Sequence, residues 1–280
     1  MNIQSAIKKG QLILSSKNIK TAELDSQILM SKAINKEKKF LILNFNEKIS
    51  QKNLDEFNTL INQRANGEPV AYLINKKNFW NYEFFVNKDV LIPRPDTEVL
   101  VEKVLELTKN KNKLKVLDIG IGSGCILLSI LMEKKNFYGT GVDISSKSLN
   151  ICKINSHKLG LINRVKLFKS DIDNFNNGKY DLIISNPPYI KKSELKCLEK
   201  DIINFEPKRA LDGGINGLSE IRKVINKSSE LIKKNGILIL EIGFNQKNCI
   251  KKILNNKGFY IKEIAKDLGN NDRCIISVKI

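Results

Sequence analysis

From Leu114 to the C-terminus, short apolar strands alternate with helices, and this alternation constrains the fold more than any other feature of the sequence. The predicted strands are LKVLDIG (114–120), NFYGTGVDI (136–144), RVKLFKSDI (164–172), YDLIIS (180–185), GILILEIG (236–243), YIKEIAKDL (260–268) and RCIISVKI (273–280). Helices are predicted around 124–134, 145–159, 217–234 and 245–256. Such alternation predicts an α/β fold, a mostly parallel sheet with helices on both faces. Ligands of these sheets bind beyond the carboxyl ends of the strands.

The N-terminal region has a different pattern, typical of a small helical bundle. TAELDSQILMSKAI (21–34) places Ala22, Leu24, Ile28, Leu29 and Ala33 near one helix face, and SQKNLDEFNTLINQRANGEP (50–69) begins with Ser50 as a predicted N-cap. NFWNYEFFVNKDVLI (78–92) then predicts a β-hairpin. We therefore expect a helical domain over 1–75, a hairpin linker over 76–95 and an α/β domain over 96–280.

The chain is strongly basic: 48 Lys and Arg against 30 Asp and Glu give a formal net charge of +18 at pH 7. Such a charge favours acidic partners, nucleic acids among them. Only six of the basic residues are arginines, at positions 64, 94, 164, 209, 222 and 273, and base-specific contacts depend largely on arginine. The remaining excess is lysine among many Asn and Ile, residues with A/T-rich codons, so genome composition is an alternative explanation.

Cysteine and histidine usage argues against disulfides and metal sites. The five cysteines are scattered and form no Cys-x-x-Cys pair, and His157 is the only histidine. No apolar run approaches the roughly 20 residues of a spanning helix, and the N-terminus lacks a secretory signal pattern. We expect a cytoplasmic protein with reduced thiols, no metal and no membrane partner.

Three predicted strands end in residues suited to a nucleoside. LDIGIGSG has Gly120, Gly122 and Gly124 in a tight turn that also contains Ile121 and Ser123; the dinucleotide pattern G-x-G-x-x-G would need glycine at position 125, which is Cys125. Asp143, after the second strand, can accept hydrogen bonds from ribose hydroxyls, or it can cap the following helix. Asp171 and Ile172, after the third strand, can contact an adenine amino group and ring.

Together these features resemble the class I S-adenosylmethionine-dependent methyltransferases, whose Rossmann-like sheet has seven strands. The fourth strand then ends in Asn186, Pro187, Pro188 and Tyr189, an NPPY sequence similar to that of amino-methyltransferases. In such a site the Asn186 side-chain oxygen and the Pro187 carbonyl accept the two N–H protons of a planar nitrogen, and Tyr189 stacks on the planar group. A proline turn without catalytic function is the simpler alternative. The position of the NPPY sequence directly after the fourth strand favours the catalytic interpretation.

Longer segments resemble one family in particular, the release factor glutamine N5-methyltransferases. They are RANGEPVAYL (64–73), LIPRPDTEVLVE (91–102), NFEPKRALDGGINGL (204–218) and the closing DLGNNDRCIISV (267–278). The resemblance covers essentially the whole chain. It implies methylation of the glutamine of the Gly-Gly-Gln motif in class 1 peptide chain release factors, with S-adenosyl-L-homocysteine as the second product. It also implies a helical domain that recognises the substrate and a monomer that does not require nucleic acid.

The resemblance assigns cofactor binding to Gly120–Gly124, Asp143, Asp171, Ile172 and Asn186, and catalysis to Asn186–Tyr189. Ile172 departs from the family, whose members often have an aromatic residue there. Pro93-Arg94-Pro95 is expected either to shape the site or to serve as a rigid linker, and Glu206-Pro207 to belong to a flap or to a plain loop. The alternatives are a nucleic-acid amino-methyltransferase acting on adenine N6 or guanine N2, and a non-catalytic nucleotide-binding protein.

Overall fold

The computed structural model describes all 280 residues, and the chain divides into two compact units. The first comprises Met1–Lys76 and Glu199–Phe205, and the second comprises Lys77–Leu198 and Glu206–Ile280. Glu199–Phe205, a short segment from the second half of the chain, belongs to the helical unit, which no sequence pattern predicted. None of the helices is both long enough and apolar enough to cross a membrane.

The first unit is helical. Its N-terminal part contains α1 (Ile3–Ser16), α2 (Ala22–Ala33), α3 (Lys38–Leu43), α4 (Gln51–Ala65) and α5 (Val70–Leu73). Leu14, Leu29 and Phe57 are buried in its core. Ser50 caps α4 as predicted, since its hydroxyl accepts a hydrogen bond from the Asn53 N–H at 3.3 Å.

The buried face of α2 includes Ala22, Leu29 and Ala33 as predicted, but not Leu24. Leu24 is 47% exposed, whereas Asp25 and Ser26 are buried. Both buried polar groups have partners: Arg64 Nε donates to Asp25 Oδ2 at 2.8 Å, and Ser26 Oγ donates to the Ile7 carbonyl at 2.8 Å. Long-range pairing therefore makes this polar face a core face, which hydrophobic periodicity alone cannot reveal.

The second unit begins near a two-stranded hairpin and continues as an α/β sheet. Its strands are β1 (Lys76–Phe79), β2 (Tyr82–Phe85), β3 (Lys115–Ile119), β4 (Tyr138–Asp143), β5 (Val165–Lys169), β6 (Tyr180–Ser185), β7 (Ile232–Glu241), β8 (Phe259–Lys266) and β9 (Asp272–Lys279). The remaining helices of the chain are α6 (Glu98–Leu107), α7 (Cys125–Glu133), α8 (Ser146–Lys158), α9 (Lys200–Phe205, in the first unit), α10 (Ser219–Leu231) and α11 (Lys247–Asn256).

The predicted seven-stranded, mostly parallel sheet is confirmed. Its strand order is β5-β4-β3-β6-β7-β9-β8, and only β9 runs antiparallel to its neighbours. Successive residues of β3 point to opposite faces: Val116 packs in one apolar cluster and Leu117 in the other. Since both faces are covered, the central strands β3 and β6 are nearly continuously apolar, as expected of a buried parallel sheet, whereas the edge strands β5 and β8 contain exposed polar residues.

The strand order reverses at β3. From β3 the chain passes outward to β4 and β5, and then returns to add β6 on the other side of β3. Ile119, the last residue of β3, is paired with Val142 of β4 and Ser185 of β6. The loops that follow these three strands therefore start side by side, at the position where such folds bind ligands.

Candidate active site

A cavity of about 550 Å³ opens at the carboxyl ends of β3, β4, β5 and β6. The glycine turn after β3 and the NPPY sequence after β6 meet on its wall, because Ile119 and Ser185 are register partners and Ser185 Oγ donates to the Ile119 carbonyl at 2.7 Å. The volume lies within the range of small-molecule sites, about 300–1,000 Å³. The cavity thus joins features that are 66 residues apart in the sequence.

The three positions of the turn require glycine for different physical reasons. All three have positive φ: 76° at Gly120, 55° at Gly122 and 84° at Gly124. Gly120 and Gly122 line the cavity, and a Cβ at Gly120 would meet no atom within 4 Å, so a ligand can approach this backbone closely. Gly124 does not line the cavity; a Cβ there would lie 2.7 Å from Cys152 Sγ and 2.9 Å from Leu128 Cδ1.

Asp143 is held by backbone donors on two sides. Its Oδ2 accepts from the Gly122 N–H at 3.0 Å and its Oδ1 from the Ser145 N–H at 2.8 Å. Burial raises the pKa of this carboxyl, and the two N–H groups and the charge of Arg209 oppose the rise. Each carboxylate oxygen keeps a further lone pair for a ligand hydroxyl. The helix α8 is capped by Ser145, whose Oγ accepts from Ser148, rather than by Asp143.

Asp171 and Ile172 occupy the wall of the cavity that follows β5. Asp171 Oδ1 accepts from the Asp173 N–H at 3.1 Å and starts a single 3₁₀ turn over Ile172–Asn174. Ile172 is buried against the apolar cluster of the same face and lines the cavity. Carboxylate and aliphatic surface are thus adjacent, which suits a ring with an amino group.

The NPPY residues divide between the cavity and the protein interior. Asn186, Pro187 and Pro188 line the cavity, whereas Tyr189 does not. Asn186 Nδ2 donates to Thr97 Oγ1 at 3.2 Å, and Oδ1 remains an acceptor for a ligand. Tyr189 instead donates its hydroxyl proton to Glu241 Oε1 at 3.2 Å, and burial raises its pKa well above the usual range. The structure therefore does not place Tyr189 where it was expected to stack on a substrate.

Arg94 belongs to a second part of the cavity wall and is held by Glu206, which does not itself line the cavity. Pro93, Arg94 and Pro207 line the cavity. Glu206, buried at 5% exposure, accepts from the Ile92 N–H at 3.1 Å and forms an ion pair with Arg94. A buried carboxylate that binds both backbone and guanidinium fixes the course of this segment.

Sequence reasoning missed a group of residues behind Asn186 and Tyr189. Thr97 precedes α6, Glu241 ends β7, and Arg273 lies in β9, where its Nη1 donates to the Tyr189 hydroxyl at 3.4 Å. Glu241 is an acid at the end of an apolar strand, as Asp143 is, so the same sequence pattern could have identified it. Thr97 and Arg273 carry no such local signal.

The site fits an adenine nucleoside. Open space adjoins the Gly120 backbone, an acceptor carboxylate is fixed at Asp143, and apolar surface with a carboxylate follows β5. Of the predicted cofactor residues, the cavity brings together Gly120, Ile121, Gly122, Ser123, Asp143, Asp171, Ile172 and Asn186, and it leaves out Gly124.

Two family models match the chain. The model described as the PrmC N-terminal domain matches residues 5–74, and that described as the methyltransferase small domain matches residues 95–263. The second match spans the glycine turn, Asp143 and the NPPY sequence.

Full-length relatives and a solved structure agree with these matches. A release factor glutamine methyltransferase from Clostridium acetobutylicum is 38% identical over 282 residues, covering 100% of this chain and 99% of the relative. One from Buchnera aphidicola subsp. Acyrthosiphon pisum is 38% identical over 279 residues, covering 100% and 99%. A methyltransferase structure from Pyrococcus furiosus superposes with a TM-score of 0.52 at 19% identity, covering 70% of this chain and 88% of that one, and so supports the fold.

Proposed function

The chain belongs to the release factor glutamine methyltransferase family, and from this membership we propose that it transfers a methyl group to the N5 nitrogen of the Gly-Gly-Gln glutamine in class 1 release factors. The observation that carries the chemical part of the proposal is the orientation of Asn186. Its Nδ2 is bonded to Thr97, so its Oδ1 is available on the cavity wall as an acceptor for an amide N–H.

The acceptor groups address the main difficulty of the reaction. A glutamine amide nitrogen is a poor nucleophile because its lone pair is delocalised into the carbonyl. Asn186 Oδ1 and the Pro187 carbonyl accept its two N–H protons, orient the lone pair and stabilise the positive charge that grows on nitrogen as the N–C bond forms. The nitrogen then loses one proton and restores a neutral amide, so no strong base is required.

We assign cofactor binding to the residues on the β3–β5 side of the cavity. S-adenosylmethionine, when bound, supplies an electrophilic methyl group on a sulfonium and leaves as S-adenosyl-L-homocysteine. The backbone from Gly120 to Ser123 borders the space it needs, Asp143 accepts from ribose hydroxyls, and Asp171 and Ile172 contact the adenine. Gly124 supports this loop through packing against Cys152 and Leu128.

The helical unit is assigned to recognition of the protein substrate. It is the part of the chain matched by the PrmC N-terminal domain model, and it includes Glu199–Phe205, which follows the NPPY strand in the sequence. In this proposal the enzyme is a cytoplasmic monomer that needs neither nucleic acid nor metal. Residues 76–95 connect the recognition and catalytic domains.

The test is a methyl-transfer assay with the full-length protein, S-adenosylmethionine and a class 1 release factor, read by mass spectrometry of the Gly-Gly-Gln peptide. We expect a gain of one methyl group on the glutamine. Asn186→Ala should abolish transfer and leave the circular dichroism spectrum unchanged, because Asn186 is only partly buried. Methylation of RNA or DNA without methylation of the release factor would refute the proposal in favour of a nucleic-acid amino-methyltransferase.

A further inference from the structure

The side-chain amide of Asn155 joins two parts of the second unit that are far apart in the sequence. Asn155 lies in α8, is 1% exposed and does not itself line the cavity. Its Oδ1 accepts from the Phe85 N–H at 2.7 Å, and its Nδ2 donates to the Phe85 carbonyl at 3.0 Å and to the Ser123 carbonyl at 2.9 Å. Phe85 ends β2, 70 residues before Asn155, and Ser123 belongs to the glycine turn.

These three hydrogen bonds fix the orientation of the Asn155 amide. A side-chain amide has two N–H donors and one carbonyl oxygen, and here both donors face carbonyls while the oxygen faces an N–H. The opposite orientation would place the NH₂ group against the Phe85 N–H and the oxygen against two carbonyls. Toward Phe85 the amide acts as a neighbouring strand does, because it pairs with the N–H and the carbonyl of one residue.

The bond to Ser123 holds one peptide group of the glycine turn. The peptide between Ser123 and Gly124 is bound at both ends, because its carbonyl accepts from Asn155 and its N–H donates to the Ile121 carbonyl at 2.9 Å. Gly124 has a φ of 84°, and glycine restricts rotation of the preceding peptide less than any other residue does. Since Ser123 lines the cavity, loss of the Asn155 donor would leave this part of the wall free to rotate.

The bonds to Phe85 hold the start of a second part of the cavity wall. After β2 the chain continues into residues 89–91, which line the cavity. Helix α8 contacts this segment again, since Ser148 Oγ donates to the Asp89 carbonyl at 3.3 Å. The helix thus supports both the glycine turn and the segment after the hairpin, and Asn155 is bonded to both sides.

We propose that Asn155 is a positioning residue for cofactor binding, which fixes the glycine turn relative to the segment that follows the hairpin. This inference rests on the proposed function only in its assignment of S-adenosylmethionine to this cavity. Asn155 acts through the backbone of Ser123 and Phe85 and touches neither the cofactor nor the substrate. Its effect therefore falls on affinity for the cofactor and not on the transfer step, whose acceptors are Asn186 and Pro187.

Calorimetry with S-adenosylmethionine tests the positioning role. Asn155→Ala removes all three hydrogen bonds, and we expect its Kd to rise about tenfold or more, because cofactor binding must then order the turn. Ser156→Ala is the matched control, since Ser156 is the next residue of α8, is 2% exposed and donates its hydroxyl proton to the Cys152 carbonyl of the same helix. Its Kd should remain close to the wild-type value.

A merely structural role would give a different pattern. An unfolded fraction lowers the Tm and the number of binding sites in the titration, while the Kd of the folded fraction stays unchanged. In methyl transfer to the release factor, Asn155→Ala should raise KM for S-adenosylmethionine about as much as it raises Kd. The kcat at saturating cofactor and KM for the release factor should stay near their wild-type values.

Hydrogen exchange of the wild-type protein is a second measurement, and it does not depend on the folding of a variant. Phe85 does not line the cavity, but its N–H donates to Asn155. We therefore expect S-adenosyl-L-homocysteine to slow the exchange of this N–H together with those of the glycine turn. Slower exchange in the turn alone, with no change at Phe85, would refute the coupling of the two segments.

The outcomes distinguish the inference from the proposed function. If the wild-type protein binds S-adenosylmethionine and Asn155→Ala binds it with the same Kd, the positioning role is wrong and the cofactor assignment stands. If the wild-type protein does not bind S-adenosylmethionine, the cofactor assignment is wrong and the inference is wrong with it. If the cofactor binds but the release factor is not methylated, the proposed function is wrong, and the Kd values alone decide the positioning role.

Discussion

Replacing Gly124 by alanine is expected to destabilise the second unit more than a typical glycine substitution. Gly124 has φ 84°, a left-handed conformation that costs an alanine about 1–2 kcal/mol. The new Cβ would also lie 2.7 Å from Cys152 Sγ and 2.9 Å from Leu128 Cδ1, both in the core, and such overpacking costs about 1–3 kcal/mol. The two effects together predict a loss of about 2–5 kcal/mol in the free energy of unfolding.

Two other glycines provide controls for the two contributions. Gly160, after α8, has φ 68° and no atom within 4 Å of its Cβ position, so Gly160→Ala should lose only the conformational part, about 1–2 kcal/mol. Gly120→Ala has the same open surroundings but borders the cavity, so it should match Gly160→Ala in stability and bind S-adenosylmethionine more weakly.

Urea unfolding followed by tryptophan fluorescence measures these differences. Trp80 is the single tryptophan of the chain and lies in the second unit, so its signal reports the unit that contains all three glycines. The free energies come from linear extrapolation to zero urea. If Gly124→Ala is no less stable than Gly160→Ala, the close packing of Gly124 against Cys152 and Leu128 adds nothing to the loss in the free energy of unfolding, and the prediction is wrong.

Four further substitutions test other ionisable side chains. Neither carboxyl oxygen of Asp118 has a hydrogen-bond partner, and burial raises the pKa of this group to about 8. Because the unfolded chain ionises here from about pH 4 and the folded chain does not, the free energy of unfolding falls as the pH rises from 4 to 8. Asp118→Asn should remove this dependence, a slope of up to about 1.4 kcal/mol per pH unit in urea unfolding. Arg64→Ala should lower the stability of the helical unit by about 3 kcal/mol, because it leaves the buried Asp25 carboxylate without its ion pair. Asp201→Asn changes the more exposed carboxylate and should lower it by less than about 1 kcal/mol. Hydrogen exchange of the helical unit compares the two variants, and equal losses of stability would contradict this assignment. Asp143→Asn places an NH₂ group against one of two backbone N–H donors. It should weaken S-adenosylmethionine binding, measured by calorimetry, by at least about tenfold. Unchanged affinity would exclude Asp143 from the site.

The sequence by itself determined the sheet and most of the cavity wall. All seven strands of the sheet were predicted from local properties: the central strands are buried on both faces and therefore apolar, and the edge strands β5 and β8 contain β-branched and aromatic residues. The glycine turn, Asp143, Asp171 and Asn186 were predicted to meet because parallel strands bring their carboxyl ends to one edge. These predictions need only the order of elements and the right-handed crossover rule, not the details of packing.

Only the tertiary structure decided which polar groups face inward and which partners they have. Periodicity placed Leu24 in the core of the helical unit, where the structure instead buries Asp25 through its ion pair with Arg64, 39 residues away. Tyr189 was expected at the substrate, but its hydroxyl binds Glu241, 52 residues away. Hydrogen bonds between distant segments set these positions, and no local pattern encodes them, because burying a polar group is favourable only when folding brings its partner within reach.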